Sequence, residues 1–125
     1  MFPLEIPPDW SASREELRVA MARAGWRPDL VADAELALLE LFVNAWRHGG
    51  SPAPMVVIVV LDGVLRVSVS DASPALPVQR DGSAGPDPYA LSGRGLCLVR
   101  SLTNRFGADP RERGKSVWFE LDSAA

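Results

Sequence analysis

Apolar positions recur every three to four residues in two early stretches of the chain and every second residue in several later ones. Leu17, Ala20, Met21 and Ala24 repeat at helical spacing behind Ser11 or Ser13 as an N-cap, with Glu15 and Glu16 in the first turn, and Gly25 stops that helix. A second, longer helix follows. Pro28 suits its first turn, the periodic stretch runs from about Asp29 to His48, and Gly49-Gly50 supplies the backbone freedom for a C-terminal cap. At about 100° per residue, Val31, Ala34, Leu38, Leu41, Phe42 and Ala45 crowd one side of this helix, while Glu40, Asn44 and His48 share another. A helix apolar around most of its circumference is covered by other elements. A carboxylate and an amide four residues apart on it therefore face a partner or a cavity.

Beyond this helix the period changes to that of strands. Met55 to Leu61 is a continuous, largely β-branched run, which predicts a strand buried on both faces, and Asp62-Gly63 is a hairpin turn signal. Its partner, Val64 to Ser70, alternates, with Leu65, Val67 and Val69 on one face and Arg66, Ser68 and Ser70 on the other. From Ala72 to Ser92 prolines and glycines are scattered without a sustained period, the profile of a long loop of the kind that serves as a lid or binding loop. Gly93-Arg94-Gly95 then opens a short helix with Leu96, Val99 and Leu102 apolar. Residues Phe106 to Gly114 read as a turn back into a last strand, Ser116 to Leu121, on which Trp118 and Phe119 point to opposite faces. Met1 to Pro8 alternates loosely in Phe2, Leu4 and Ile6 and suits a short edge strand.

Composition narrows the class. The 125 residues, 47% hydrophobic and 23% charged, fit one folded domain spanning 1–125 rather than a disordered or fibrous chain. A net charge of −3 argues against a general affinity for nucleic acid or anionic membranes. Cys97 is the single cysteine, so no intrachain disulfide forms. The chain starts without the features of a signal peptide, and its longest apolar run is far short of the roughly 20 residues that span a bilayer. A cytoplasmic location is the expectation.

Four places carry candidate chemistry. Glu40 can accept or orient a proton from a hydroxyl nucleophile, and the Asn44 amide oxygen is a hard ligand suited to Mg²⁺; the plainer reading is a solvated polar stripe. His48, at the helix end, reads as a dipole-compensating residue. Asp71, where the alternating strand stops, can accept a hydrogen bond from an adenine amine or simply begin a turn with Ser73-Pro74. Gly93 and Gly95 allow backbone N–H groups to approach an anion at a helix N-terminus, although the stretch is neither a Walker P-loop nor a dinucleotide fingerprint. Lys115, after Gly114, either reaches a phosphate or lies in solvent.

In order, these elements resemble the GHKL, or Bergerat-fold, ATPases, in particular the small bacterial anti-sigma factor serine/threonine protein kinases. Glu40-Leu41-Phe42-Val43-Asn44-Ala45-Trp46-Arg47-His48-Gly49 is similar to the N box of that branch. Val67-Ser68-Val69-Ser70-Asp71 with Pro74 is similar to its G1 box, and Gly93-Arg94-Gly95-Leu96-Cys97-Leu98-Val99 to its G2 box. Gly114 to Glu120 resembles its closing strand, and the match extends from about residue 14 to 121. Asp71 is followed by Ala72-Ser73-Pro74 where many members have Asp-x-Gly-x-Gly.

The resemblance implies an α/β sandwich, with helices covering one face of a mixed, mainly antiparallel sheet and ATP held beneath a lid formed by residues 72–92. It implies Glu40 as the catalytic residue, Asn44 as the Mg²⁺ ligand, Asp71 as the reader of adenine, and Gly93, Arg94 and Gly95 at the phosphates, with Leu96 and Lys115 counted among the nucleotide-binding residues. It further implies an antagonist protein as phosphoacceptor and a sigma factor as partner, and leaves homodimerisation open. A non-catalytic nucleotide-binding interaction module of the same fold is the alternative.

Overall fold

The computed structural model describes residues 9–48, 54–70, 93–110 and 114–123. Three helices, α1 (Trp10–Arg23), α2 (Pro28–His48) and α3 (Gly93–Leu102), accompany four strands, β1 (Met55–Leu61), β2 (Val64–Ser70), β3 (Arg105–Pro110) and β4 (Lys115–Asp122). The sheet runs in the order β1-β2-β4-β3, and every pairing in it is antiparallel. The helices form the second layer: α1 packs on β1 and α2, α2 on β2, β4 and α3, and α3 on β3. This is the α/β architecture that the periodicity and the resemblance point to.

The first helix starts earlier than its sequence signals indicate. Its N-cap is Asp9, in the left-handed region at φ 66° and making no side-chain capping bond, so Ser11 and Ser13 lie inside the helix and no acidic residue occupies the first turn. An early start brings Trp10 onto Phe42 of α2, ring edge to ring face with centroids 5.6 Å apart. The other end follows the glycine signal. Gly25 has φ +79°, the Gly25 N–H donates to the Ala22 carbonyl, and the Trp26 N–H donates to the Met21 carbonyl at 3.0 Å. That bond pattern is a Schellman cap, and the burial of both Met21 and Trp26 supplies its accompanying hydrophobic contact.

The core lies between the layers. From the helices come Leu17, Met21, Ala34, Ala37, Leu38, Leu41 and Phe42, and from the sheet Leu65, Val67, Val69, Val117, Phe119 and Leu121. Full burial of each large apolar side chain contributes about 1.5–3 kcal/mol. Asp62 (φ 50°) and Gly63 (φ 78°) both adopt positive φ between β1 and β2, which identifies the primed turn that the Asp-Gly pair signals. The turn sets a register pairing Leu61 with Val64 and Met55 with Ser70.

Two strand readings are corrected. β1 is not buried on both faces: Val56, Ile58 and Val60 turn toward the core, whereas Met55, Val57, Val59 and Leu61 are exposed. Among the described residues the helices lie on one side of the sheet, so an unbroken apolar run here does not report two covered faces. The stretch read as a turn contains a strand, β3, whose Gly107 and Pro110 mask its period. Gly107 is required by packing. A Cβ there would stand 2.7 Å from Cζ2 of Trp118, the residue paired with it on β4.

That tryptophan anchors the outer face, with the Arg66 guanidinium 4.3 Å from its ring centroid. Arg66 also donates to Glu120 at 3.0 Å, and Arg105 donates to both Glu120 and Asp122. Hydrogen bonds from Arg105 hold both carboxyls below their ordinary range, with Arg66 a second cause at Glu120. Gly107→Ala is expected to displace the Trp118 ring and lower stability by about 1–3 kcal/mol, read as a lower urea midpoint at unchanged slope.

Candidate functional site

α2 is the central helix of its layer, and its motif residues sit at the boundary between core and surface. Asn44 is only 9% exposed, flanked in sequence by the half-buried Val43 and the buried Ala45. An amide placed there is costly to bury unless bonded. Its Nδ2 donates to the Glu40 backbone carbonyl one turn back, at 2.8 Å. With the donor half of the amide tied to the helix, Oδ1 is the half left to accept, and a neutral oxygen of this kind is what a hard cation takes. Glu40 is half-buried one turn earlier on the same face. Ionised, its carboxylate only accepts, which suits a group that orients or removes a hydroxyl proton.

His48 ends α2, the position read for it from sequence, and its side chain lies outside the described residues. At Gly93 the backbone enters α3, a ten-residue helix whose first turn contains Gly93, Arg94, Gly95 and Leu96. The side chains of that turn are likewise outside the described residues. The backbone nonetheless provides what the glycine spacing predicts, a helix N-terminus with N–H groups that have no intrahelical acceptor. α3 seats its buried Val99 inward and packs against α2, so the helix carrying Glu40 and Asn44 and the helix opened by the glycines are neighbours. Asp71 and the expected lid, 72–92, lie outside the described residues, as does the edge-strand reading of Met1 to Pro8.

Lys115 is where the structure most changes the sequence reading. It is the first residue of β4 and only 8% exposed, which removes the solvent alternative. Burial alternates along β4, so Lys115 shares the inner face with Val117, Phe119 and Leu121. The signal was present in the sequence, because stepping back two residues at a time from Phe119 reaches Lys115 on the same face. Gly114, with φ +78°, turns the chain into the strand just before it. Ser70, buried at the end of β2 and paired with Ser116, was not singled out by sequence. Both Ser70 and Lys115 are engaged by other groups of the chain.

A shallow cleft of about 370 Å³ between α1 and α2, lined by Trp10, Arg14, Ala32, Glu35, Leu36 and Leu39, contains none of these residues. Glu35, in its lining, pairs with Arg18 of α1 at 2.9 Å. That pair is half in solvent and worth less than about 1 kcal/mol, so the cleft reads as a helix seam. Among the described residues, no helix is long and apolar enough to cross a membrane.

A helix layer on one face of an antiparallel sheet, with a carboxylate and a tethered amide on the central helix and glycines opening its neighbour, defines an ATPase-type α/β domain. A family model for the histidine kinase-like ATPase domain matches residues 7–121, and the chain belongs to that family. No curated protein matches it. Membership supports ATP binding, commonly with Mg²⁺, and chemistry of the ATPase or kinase type.

Proposed function

We propose that this domain binds Mg·ATP and transfers the γ-phosphate to a serine or threonine of an antagonist protein, as an anti-sigma factor kinase regulating sigma-factor-dependent transcription. The observation that carries the reading is the Glu40–Asn44 pair: a buried amide anchored by its donor side, with a half-buried carboxylate one turn away. The pair fits Mg²⁺ at the level of donor chemistry, since the free half of the Asn44 amide is an oxygen. Asn44 would hold the cation, and the bound cation would neutralise phosphate charge. Glu40 would orient the acceptor hydroxyl and take its proton. Backbone N–H groups of Gly93, Arg94 and Gly95 would cradle phosphate, Asp71 would read the adenine amine, and residues 72–92 would close over the nucleotide. Phosphoryl transfer asks little covalent work of the protein, so positioning and charge neutralisation are what these groups supply.

Calorimetric titration with Mg·ATP tests the site. The wild type is expected to bind in the micromolar range, and Asn44→Ala to lose at least about tenfold in affinity, the scale of a lost hydrogen-bonding or ligating group. Absence of heat with both Mg·ATP and Mg·ADP would overturn the nucleotide reading.

The Asp71-Ala72-Ser73-Pro74 sequence favours a second reading, a partner-binding module whose nucleotide sets its shape without being consumed. ATP binding without transfer of label from γ-labelled ATP to any antagonist would select it.

A further inference from the structure

We infer that the face of the sheet turned away from the helices is an interface between two copies of this chain, packed face to face about a two-fold axis that passes over β1 at Ile58. The inference is independent of the nucleotide reading. Six large apolar side chains are exposed among the described residues, and four of them, Met55, Val57, Val59 and Leu61, line one face of one strand. Scattered exposed apolar residues are ordinary, whereas a continuous row of them marks a contact surface.

The rest of that face argues for a second copy as the occupant. A two-fold axis sets a surface against itself, so a face of one sign would repel its own copy. Here Arg66 and Arg105 are matched by Glu120 and Asp122, to which they are ion-paired, and the charged part of the face is neutral as a whole.

Register sharpens the argument. Val57 is level across the sheet with Ser68, Trp118 and Gly107, and Val59 with Arg66, Glu120 and Arg105. An axis perpendicular to the strands at Ile58 sets Val57 against Val59 of the second copy, and Met55 against its Leu61. The same operation lays the row of Arg66, Glu120 and Arg105 over the copy's row of Ser68, Trp118 and Gly107. These charges therefore meet uncharged residues rather than themselves. Aligned sheets pack about 10 Å apart with strands within about 30° of one another, and over strands this short the opposed rows stay in contact.

The size of the face sets the strength. Four strands about 4.8 Å apart, rising about 3.4 Å per residue, present an area of roughly 20 by 20 Å. That is less than the about 800 Å² per partner of a standard stable interface, so a dimer dissociating in the micromolar range is expected.

Sedimentation equilibrium of the full chain from about 1 to 300 μM, a range bracketing the affinity expected for a face of this size, is the test. Wild type is expected to pass from monomer to dimer. Met55→Lys and Leu61→Glu, both at exposed positions, should each leave the melting temperature nearly unchanged and weaken the dimer by at least about tenfold, since each sets a lone charge against an apolar side chain. Residues 55 and 61 lie at opposite ends of β1 and face each other only across the axis, so the double variant should recover the dimer to within about threefold of wild type. Ser68→Arg, which sets a like charge against Arg66 of the copy, should weaken it as well. A wild type that stays monomeric overturns the inference and leaves the face to a different protein. A dimer untouched by Met55→Lys and Leu61→Glu overturns it by placing the contact elsewhere, and so does failure of rescue in a folded double variant. A dimer indifferent to Ser68→Arg also overturns it, by pointing to pairing along strand edges instead of faces.

Discussion

Replacing Glu40 by glutamine is expected to leave Mg·ATP bound while slowing phosphotransfer by roughly 10² or more, the usual scale for a lost general base. Glutamine preserves the shape and burial of the side chain and removes only its ability to take a proton. Asn44 bonds to the backbone carbonyl of residue 40 rather than to its side chain, so the substitution leaves the amide's anchor in place. Affinity and rate should therefore separate. The check is paired: a titration with Mg·ATP and the transfer of label from γ-labelled ATP to an antagonist protein. Equal rates for Glu40→Gln and wild type would remove Glu40 from the chemistry, whereas equal losses in binding and rate would make it a ligand contact.

Phe42→Ala is expected to cost about 3–5 kcal/mol, the range for emptying a large aromatic from a core. Phe42 is fully buried on α2 and is met by the Trp10 ring from α1, so its removal leaves a void where the two helices are joined. Domains of this size are stable by only about 5–15 kcal/mol, so the loss is a large share of the total. A fall in melting temperature of more than about 10 °C should follow, measured by the loss of helical signal on heating. Leu36→Ala, on the same helix but exposed, is the control, with an expected change within about 0.5 kcal/mol. Similar shifts for the two would mean that Phe42 does not bind the helices together.

Much of this architecture was legible from period alone. The apolar side of α2 is the buried one, Pro28 and His48 bound that helix, the Asp62-Gly63 turn has the positive φ values its residues demand, and the alternation of β2 matches its burial. What escaped did so for local reasons. β3 carries a glycine because the Trp118 ring occupies the space of a Cβ, a contact that exists only after distant segments pair. Likewise β1 is apolar throughout yet, among the described residues, covered on one side, because the number of layers is a property of the assembled sheet.

The start of α1 was misjudged because Asp9 takes a left-handed conformation with no side-chain cap, and that departs from the usual N-terminal chemistry. At the site, the spacing of Glu40 and Asn44 put both on one face. It did not reveal that the Asn44 amide is tied back onto its own helix, because its neighbours in sequence do not say which half of an amide is used.

The strand order carries a kinetic consequence. β1 and β2 are joined by a tight turn and are positioned to form early, whereas β4 must return past α3 to insert between β2 and β3. The β2–β4 pairing, from Ser70 with Ser116 to Val64 with Asp122, spans the largest sequence separations in the described sheet, and such closures are slow because chain entropy is lost before contacts compensate for it. The same closure brings Lys115 beside the end of β2. The central part of the sheet is thus completed by the fold's most distant strand pairing, so a ligand that binds only the folded domain, as Mg·ATP is proposed to do, should act chiefly by retarding unfolding rather than by hastening folding.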